Sequence, residues 1–479
     1  MNGIRIHALT LLALLFVSFL SVSAVTLQAQ TTASEGDLLQ YDWPQFKGDS
    51  SFTRFSAGPA PDTPDLLWSA HVTGVQPYLS AFNGMIFVGT NTSAVALDRY
   101  TGSIIWETPI EMVREWPIIY KIDDSHLVVQ STCLNPQTGE VIWISPDFCA
   151  DTGIFSSNVY SPEEKMFYLK VDSYTEAWDF SNPQVPPTFV WRTYVPGGGR
   201  TGIGTTYGDG KVFAGSFMNL QMALDAKTGD VLWSTRTKGP MIFDGSYTDG
   251  VFLRGGTDDN TMYCFNATTG EIIWTYIPDE EYPYDGGYFT SGTAVAYGNV
   301  YEPNKDGYVY AINIATGQLV WRYKGPGTVL WPGFASVADG KVYVTSGEIA
   351  QYGGKGGTSE FVCLDAFTGE VIWKLPIEAL APRESTLVAY GRLYLIPGTV
   401  TDAVDAISGN EYTTFNQVWA IGEQIVPDVT IVPTPTASPA TFAVDSLILV
   451  AAVLIIVILF LVFLVAVLRL DRHKRRETL

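Results

Sequence analysis

An eleven-residue pattern recurs six times without a gap in this chain: a small residue, any residue, Asp or Asn, two residues, Thr, Gly, three residues and Trp. The copies occupy 96–106, 133–143, 223–233, 264–274, 311–321 and 363–373. A looser copy runs from Ala177 through Asp179 to Trp191, with extra residues around Pro183 and Pro187. Each fixed position has a chemical reason. Asp or Asn at a strand end folds its side chain back onto backbone N–H groups, and Gly supplies the positive φ that closes the turn. The chain then reverses into an antiparallel strand carrying the Trp, whose ring can cover a neighbouring unit while its indole N–H finds a carbonyl.

Upstream of the motif copies comes a turn followed by an alternating apolar strand, as in Asn83-Gly84-Met85-Ile86-Phe87-Val88, Asp209-Gly210-Lys211-Val212-Phe213-Ala214 and Asp339-Gly340-Lys341-Val342-Tyr343-Val344. With one more strand before that turn, each unit has four strands, and the Trp-to-Trp spacing of roughly 37 to 52 residues suits a propeller blade. The expected class is all-β, a β-propeller of four-stranded antiparallel blades. Innermost strands are expected near residues 77, 117, 155, 202, 243, 289, 333 and 385, which makes eight blades, with seven as the alternative. The last blade is expected to take three strands from 385–389, 392–396 and 417–421 and its fourth from Leu66-Leu67-Trp68-Ser69, closing the ring with both ends of the domain. A rival register uses 404–409 as a final motif. The structural tryptophans are then Trp68, Trp106, Trp143, Trp191, Trp233, Trp274, Trp321 and Trp373.

Composition fits many short strands: 45 Gly, 27 Pro and 13% aromatic against 16% charged residues. Outside the propeller, expected over 30–425, the ends read differently. Residues 1–29 carry Arg5, an apolar run and small residues near Ala24 and Ala29, the layout of a secretory signal peptide, with an uncleaved anchor as the alternative. Residues 426–445 are a Pro/Thr/Ser-rich stalk. Residues 446–468 hold no charged side chain and are long enough for a transmembrane α-helix. The tail 469–479 is basic, so the positive-inside rule puts it in the cytoplasm and the propeller outside, in a single-pass plasma membrane protein. Setting aside Arg5 and everything after Leu468 leaves 22 basic and 47 acidic side chains, a balance of −25 that excludes nucleic acid as a partner.

The motif resembles the tryptophan-docking motif of the pyrroloquinoline quinone (PQQ) repeat family, and Asp42-Trp43-Pro44-Gln45-Phe46-Lys47-Gly48 resembles the lead-in of many such propellers. The resemblance spans about 41–422 and implies the fold. It leaves function open, because the family includes quinone-dependent dehydrogenases alongside propellers that bind no cofactor. The chain has no Cys-Cys dipeptide, which the resembled alcohol dehydrogenases usually carry against the quinone, and no Cys-x-x-Cys-His segment for a haem. The resulting expectation is a noncatalytic cell-surface binding or scaffold protein with no catalytic residues, no metal and no cofactor, whose partner is a protein or glycan. The alternatives are a PQQ-dependent oxidoreductase with PQQ and calcium, and a structural envelope component.

Ligand-binding candidates lie on the loops that lead into the innermost strands: Gln76, Glu115, Trp116, Arg200, Asp244, Asp285, Trp331, Arg383 and Glu384. The competing reading of these charges is structural ion pairing between blades. Cys133, Cys264 and Cys363 occupy the motif position held elsewhere by Ala and read as core residues, while Cys149 could pair with Cys133 or remain a thiol. His71 and His126 are too few for a zinc site. Asn91 and Asn266 match the glycosylation sequon, Asn266 doubling as a turn residue.

Overall fold

The computed structural model describes residues 38–73, 78–110, 119–148, 158–197, 204–241, 244–278, 289, 293–325, 335–347, 359–377, 386–397, 399–404, 411–414 and 417–423. Among them are eight sheets built on four antiparallel strands, which run in sequence order from innermost to outermost in seven of the eight. Blade 1 is Tyr78–Phe82, Met85–Gly89, Ser93–Asp98 and Ile104–Pro109. Blade 4 is Thr205–Gly208, Lys211–Ser216, Leu220–Asp225 and Val231–Arg236, and blade 5 is Ser246–Thr248, Val251–Gly255, Met262–Asn266 and Ile272–Tyr276. The innermost strands of the others begin at Ile119, Val159, Ala294, Ser336 and Thr386. Blade 8 closes the ring as expected: Thr386–Ala389, Arg392–Leu395 and Gln417–Ile421 are completed by Leu66–His71, with Trp68 opposite Ala420. The segment around the rival register forms a separate hairpin, Thr399–Val404 with Glu411–Thr414.

The burial patterns explain the blades. Second strands such as Met85–Gly89 are buried at every position, because neighbouring blades cover both faces. Fourth strands such as Val231–Arg236 alternate and expose their outer edge. The motif turn is built by its Asx side chain: Asp98 Oδ1 accepts from the N–H groups of Tyr100 at 3.0 Å and Thr101 at 2.8 Å, and Asn266 Oδ1 accepts from those of Thr268 and Thr269 at 2.9 Å.

Each motif Trp then docks on the next blade. The indole N–H of Trp191 donates to the carbonyl of Ala226 at 3.0 Å, that of Trp233 to Ala267 at 3.0 Å and that of Trp274 to Ile314 at 2.7 Å. Trp68, Trp106, Trp143 and Trp321 make the same bond to Arg99, Pro136, Pro183 and Ala366. The motif Gly is also the plate under the ring, since a methyl group on Gly270 would lie 2.5 Å from Trp233 Cδ2. Trp373 breaks the series, for its buried Nε1 has no acceptor among the described residues. It faces blade 8, where Gly422 stands at the motif's Asx position and no Thr-Gly follows.

No described helix is long and apolar enough to cross a membrane. The expected signal at 1–29, stalk at 426–445, helix at 446–468 and tail at 469–479 all lie outside the described residues.

Candidate functional site at the axis of the ring

The innermost strands surround an axis, and the segment before Leu66–His71 follows them round it as a strap. Pro44 and the positive-φ residues Lys47 (65°), Phe52 (55°) and Arg54 (54°) prevent this segment from joining a sheet as a regular strand. It bonds to the blades one after another. Trp43 exchanges backbone bonds with Ala81 of blade 1 at 2.6 and 2.8 Å, and the Lys121 N–H of blade 2 donates to Pro44 O at 2.7 Å. The Gln45 amide exchanges bonds with the backbone of Tyr160 in blade 3 at 3.1 and 3.2 Å. The N–H groups of Tyr207, Tyr247, Val295 and Val337, in blades 4 to 7, donate to the carbonyls of Ser50, Ser51, Thr53 and Arg54 at 2.9 to 3.0 Å. Phe55–Ser56 runs parallel to Val337–Ala338. The Tyr390 hydroxyl beside blade 8 donates to Asp42 Oδ1 at 3.1 Å. All eight blades are thereby tied to one stretch of chain.

The strap carries a charge into the interior. The Lys47 ammonium, whose side chain is 0% exposed, forms an ion pair with Asp244 and sits 4.8 and 4.9 Å from the ring centroids of Phe46 and Phe52. Asp49 is half-buried and accepts from the N–H groups of Ser51 at 2.9 Å and Thr53 at 3.0 Å and from the Thr53 hydroxyl. Desolvation raises its pKa above the ordinary carboxylate value although those bonds oppose it.

Of the nine candidates, only Asp244 falls among the described residues, and it is a structural ion-pair partner of the strap. Gln76, Glu115, Trp116, Arg200, Asp285, Trp331, Arg383 and Glu384 lie outside them. Lys47 and the strap's path were missed. The lead-in that contains Lys47 was legible only as a likeness, because no periodicity marks a segment that belongs to no sheet. Arg254 was also missed. It is 1% exposed on the second strand of blade 5, at the register held in other blades by Val88, Val129, Leu169, Ala214, Val344 and Leu395, with Glu302 in blade 6.

Other expectations resolve simply. Cys133, Cys264 and Cys363 are buried free thiols, each pushed up to about 12 first by desolvation, while Cys149 lies outside the described residues. His126 is satisfied on both nitrogens, Nδ1 with Asp123 Oδ1 at 2.7 Å and Nε2 with the Gln184 amide at 2.7 Å. Among the described residues no group of three His, Cys, Asp or Glu side chains could hold a metal ion. A calcium–quinone pair needs carboxylate oxygens open to the cation. Asp244 is held by Lys47 and Asp49 by Ser51 and Thr53, so these strap-linked carboxylates do not fit that group. Asn91 is half-buried beside blade 1, and Asn266 is engaged in its turn.

Comparison with known proteins places the chain. The fold is similar to that of the computationally designed Ika8 protein, at a TM-score of 0.56 and 13% identity over 75% of this chain and 100% of that one. It is also similar to the quinohemoprotein alcohol dehydrogenase from Comamonas testosteroni, at a TM-score of 0.54 and 15% identity over 81% of this chain and 82% of that one. Among curated proteins, a tetrathionate hydrolase from Acidithiobacillus ferrooxidans is 25% identical over 218 residues, 38% of this chain, and the match spans only 40% of that relative. The PQQ_2 family model, described as outer membrane protein assembly factor BamB, matches residues 128–329 and 305–454. With more than half of its length covered by that model, the chain belongs to the PQQ_2 family of PQQ-repeat propellers.

Proposed function

We propose that this chain is a noncatalytic binding or scaffold protein that presents its propeller on the outside of a plasma membrane, held by the 446–468 helix, to a protein or glycan partner. The observation that carries the reading is the strap: it bonds to every blade and brings a lysine into an ion pair with Asp244, so these groups at the axis serve as structure. The outer rim supports it. Five of the eight fourth strands carry an exposed apolar pair at or next to their start, Ile104 and Ile105, Phe189 and Val190, Val231 and Leu232, Leu319 and Val320, Val371 and Ile372. Repeated apolar surface of this kind suits contact with another macromolecule.

The test is reconstitution of the purified chain with PQQ and calcium, followed by quinone absorbance and dye-linked oxidation of alcohols and sugars. No bound quinone and no turnover is the expected result; stoichiometric quinone with turnover overturns the reading. A second reading, an enzyme of another type, draws on the sequence match to a protein named tetrathionate hydrolase. Consumption of tetrathionate by the same preparation would favour it. The structural-envelope reading draws on the same apolar rim, and crosslinking that returns only contacts between copies of this chain would favour it over a separate partner.

A further inference from the structure

The guanidinium of Arg254 is buried at a level of its blade where six of the seven others carry aliphatic side chains. Gly215 of blade 4 makes room for it, since a side chain there would strike Arg254 Nη1 and the Met241 carbonyl. One arm is anchored: Nη1 donates to Gln221 Oε1 at 2.9 Å, and the Gln221 amide is itself fixed by bonds to the carbonyls of Ala214 at 3.2 Å and Met222 at 3.1 Å. The other edge is unpartnered, for among the described residues neither Nε nor Nη2 has a hydrogen-bond partner. Those two N–H groups are coplanar and parallel, the fork that matches two oxygens of a carboxylate, sulfate or phosphate. A second buried polar atom without a partner, the hydroxyl of Thr257, lies on the loop that leaves the same strand, where the Thr257 N–H donates to Pro240 O at 3.0 Å. The Thr257 backbone and the Arg254 guanidinium therefore both lie by the segment 240–241.

We propose that the Nε–Nη2 edge of Arg254, between blades 4 and 5, is the receiving fork of an oxyanion site that takes the carboxylate, sulfate or phosphate group of a small ligand. Gln221 acts as the positioning residue that sets the plane of the fork. A buried guanidinium with an empty edge is costly, and an oxyanion removes that cost by supplying both acceptors and opposite charge. Desolvation pulls the pKa of Arg254 down to about 10 although the Asp244 carboxylate favours its charged form, so the group has a deficit for an anion to fill. The site does not depend on the noncatalytic reading, because a chain that turned over substrate elsewhere on the ring would still carry this fork.

The experiment is isothermal titration of the full chain with sodium acetate, sulfate and phosphate at constant ionic strength. Expected is saturable binding of at least one anion at one site per chain. Preference for acetate identifies a planar carboxylate as the ligand group, and preference for sulfate or phosphate a tetrahedral one. Arg254→Lys keeps the charge without the fork and should weaken binding by about tenfold or more. Arg254→Met should abolish it. Lys227→Met, at an exposed lysine paired with Glu164, should bind as the parent does. No saturable heat with any of the three anions, or equal binding by Arg254→Met, overturns the proposal. Should Arg254→Met fail to fold, Arg254→Lys decides: unchanged affinity overturns the site.

Discussion

At the scale of single residues, the motif glycine combines two constraints that mutation can separate. Gly250 and Gly270 both have positive φ, 82° and 75°, but a methyl group on Gly250 meets nothing within 4 Å whereas one on Gly270 meets the ring of Trp233. Gly250→Ala should therefore cost about 1 kcal/mol for the left-handed backbone alone. Gly270→Ala should cost a further ~1–3 kcal/mol, because the indole must move off its plate. Denaturant midpoints of the two variants check the difference. The fixed Gly was legible in sequence as a turn former, while its role as a contact surface was not, because that contact comes from the preceding unit. The same holds for Arg254: lining up the repeats against the motif would have put it level with valines and leucines, but the partner Gln221 lies on another blade.

At the scale of the elements, the Asx turns predict an acid limit. Asp225 is held below the ordinary carboxylate pKa by the Thr228 N–H and, against desolvation, by the Lys227 N–H. In Asp98 and Asp365 desolvation acts first and upward, and bonds from Thr101 and Thr368 outweigh it. A depressed native pKa contributes stability above the unfolded value, about 3.9, that disappears as pH falls through the lower native value. Melting temperature should thus begin to fall below about pH 4, and Asp225→Asn should flatten that fall. Docking bonds make a second prediction. Trp233→Phe removes a satisfied indole bond and should lose about 1 kcal/mol from that bond, whereas Trp373→Phe removes an orphaned donor and should lose less or gain. Paired denaturant titrations decide it.

Across the whole molecule, the eight blades and the closing pair 66–71 with 417–421 were legible from the repeat, since four-strand units at a regular spacing leave few other folds. The strap was not, because its bonds are made one blade at a time by backbone groups that any sequence possesses. Its buried ion pair is open to a direct test. Lys47→Met removes the ion-pair partner of buried Asp244 and should cost ~3–5 kcal/mol, while Lys47→Met with Asp244→Leu should recover most of it, since removing both charges removes the desolvation cost as well. Thermal melts of the single and double variants check this, with Lys227→Met as a surface control. Recovery in the double variant would show that the pair fixes the strap's path without adding net stability.

Closure of blade 8 also has a mechanical meaning. Chain leaving the ring at Gly422 continues from a strand held between Arg392–Leu395 on one side and Leu66–His71 on the other. Tension applied there passes directly into the N-terminal strand, and from it through the strap to all the blades. A pull that would peel an ordinary terminal strand off a sheet instead loads a clasp, so the ring should resist force from its C-terminal end until the 66–71 and 417–421 pair shears.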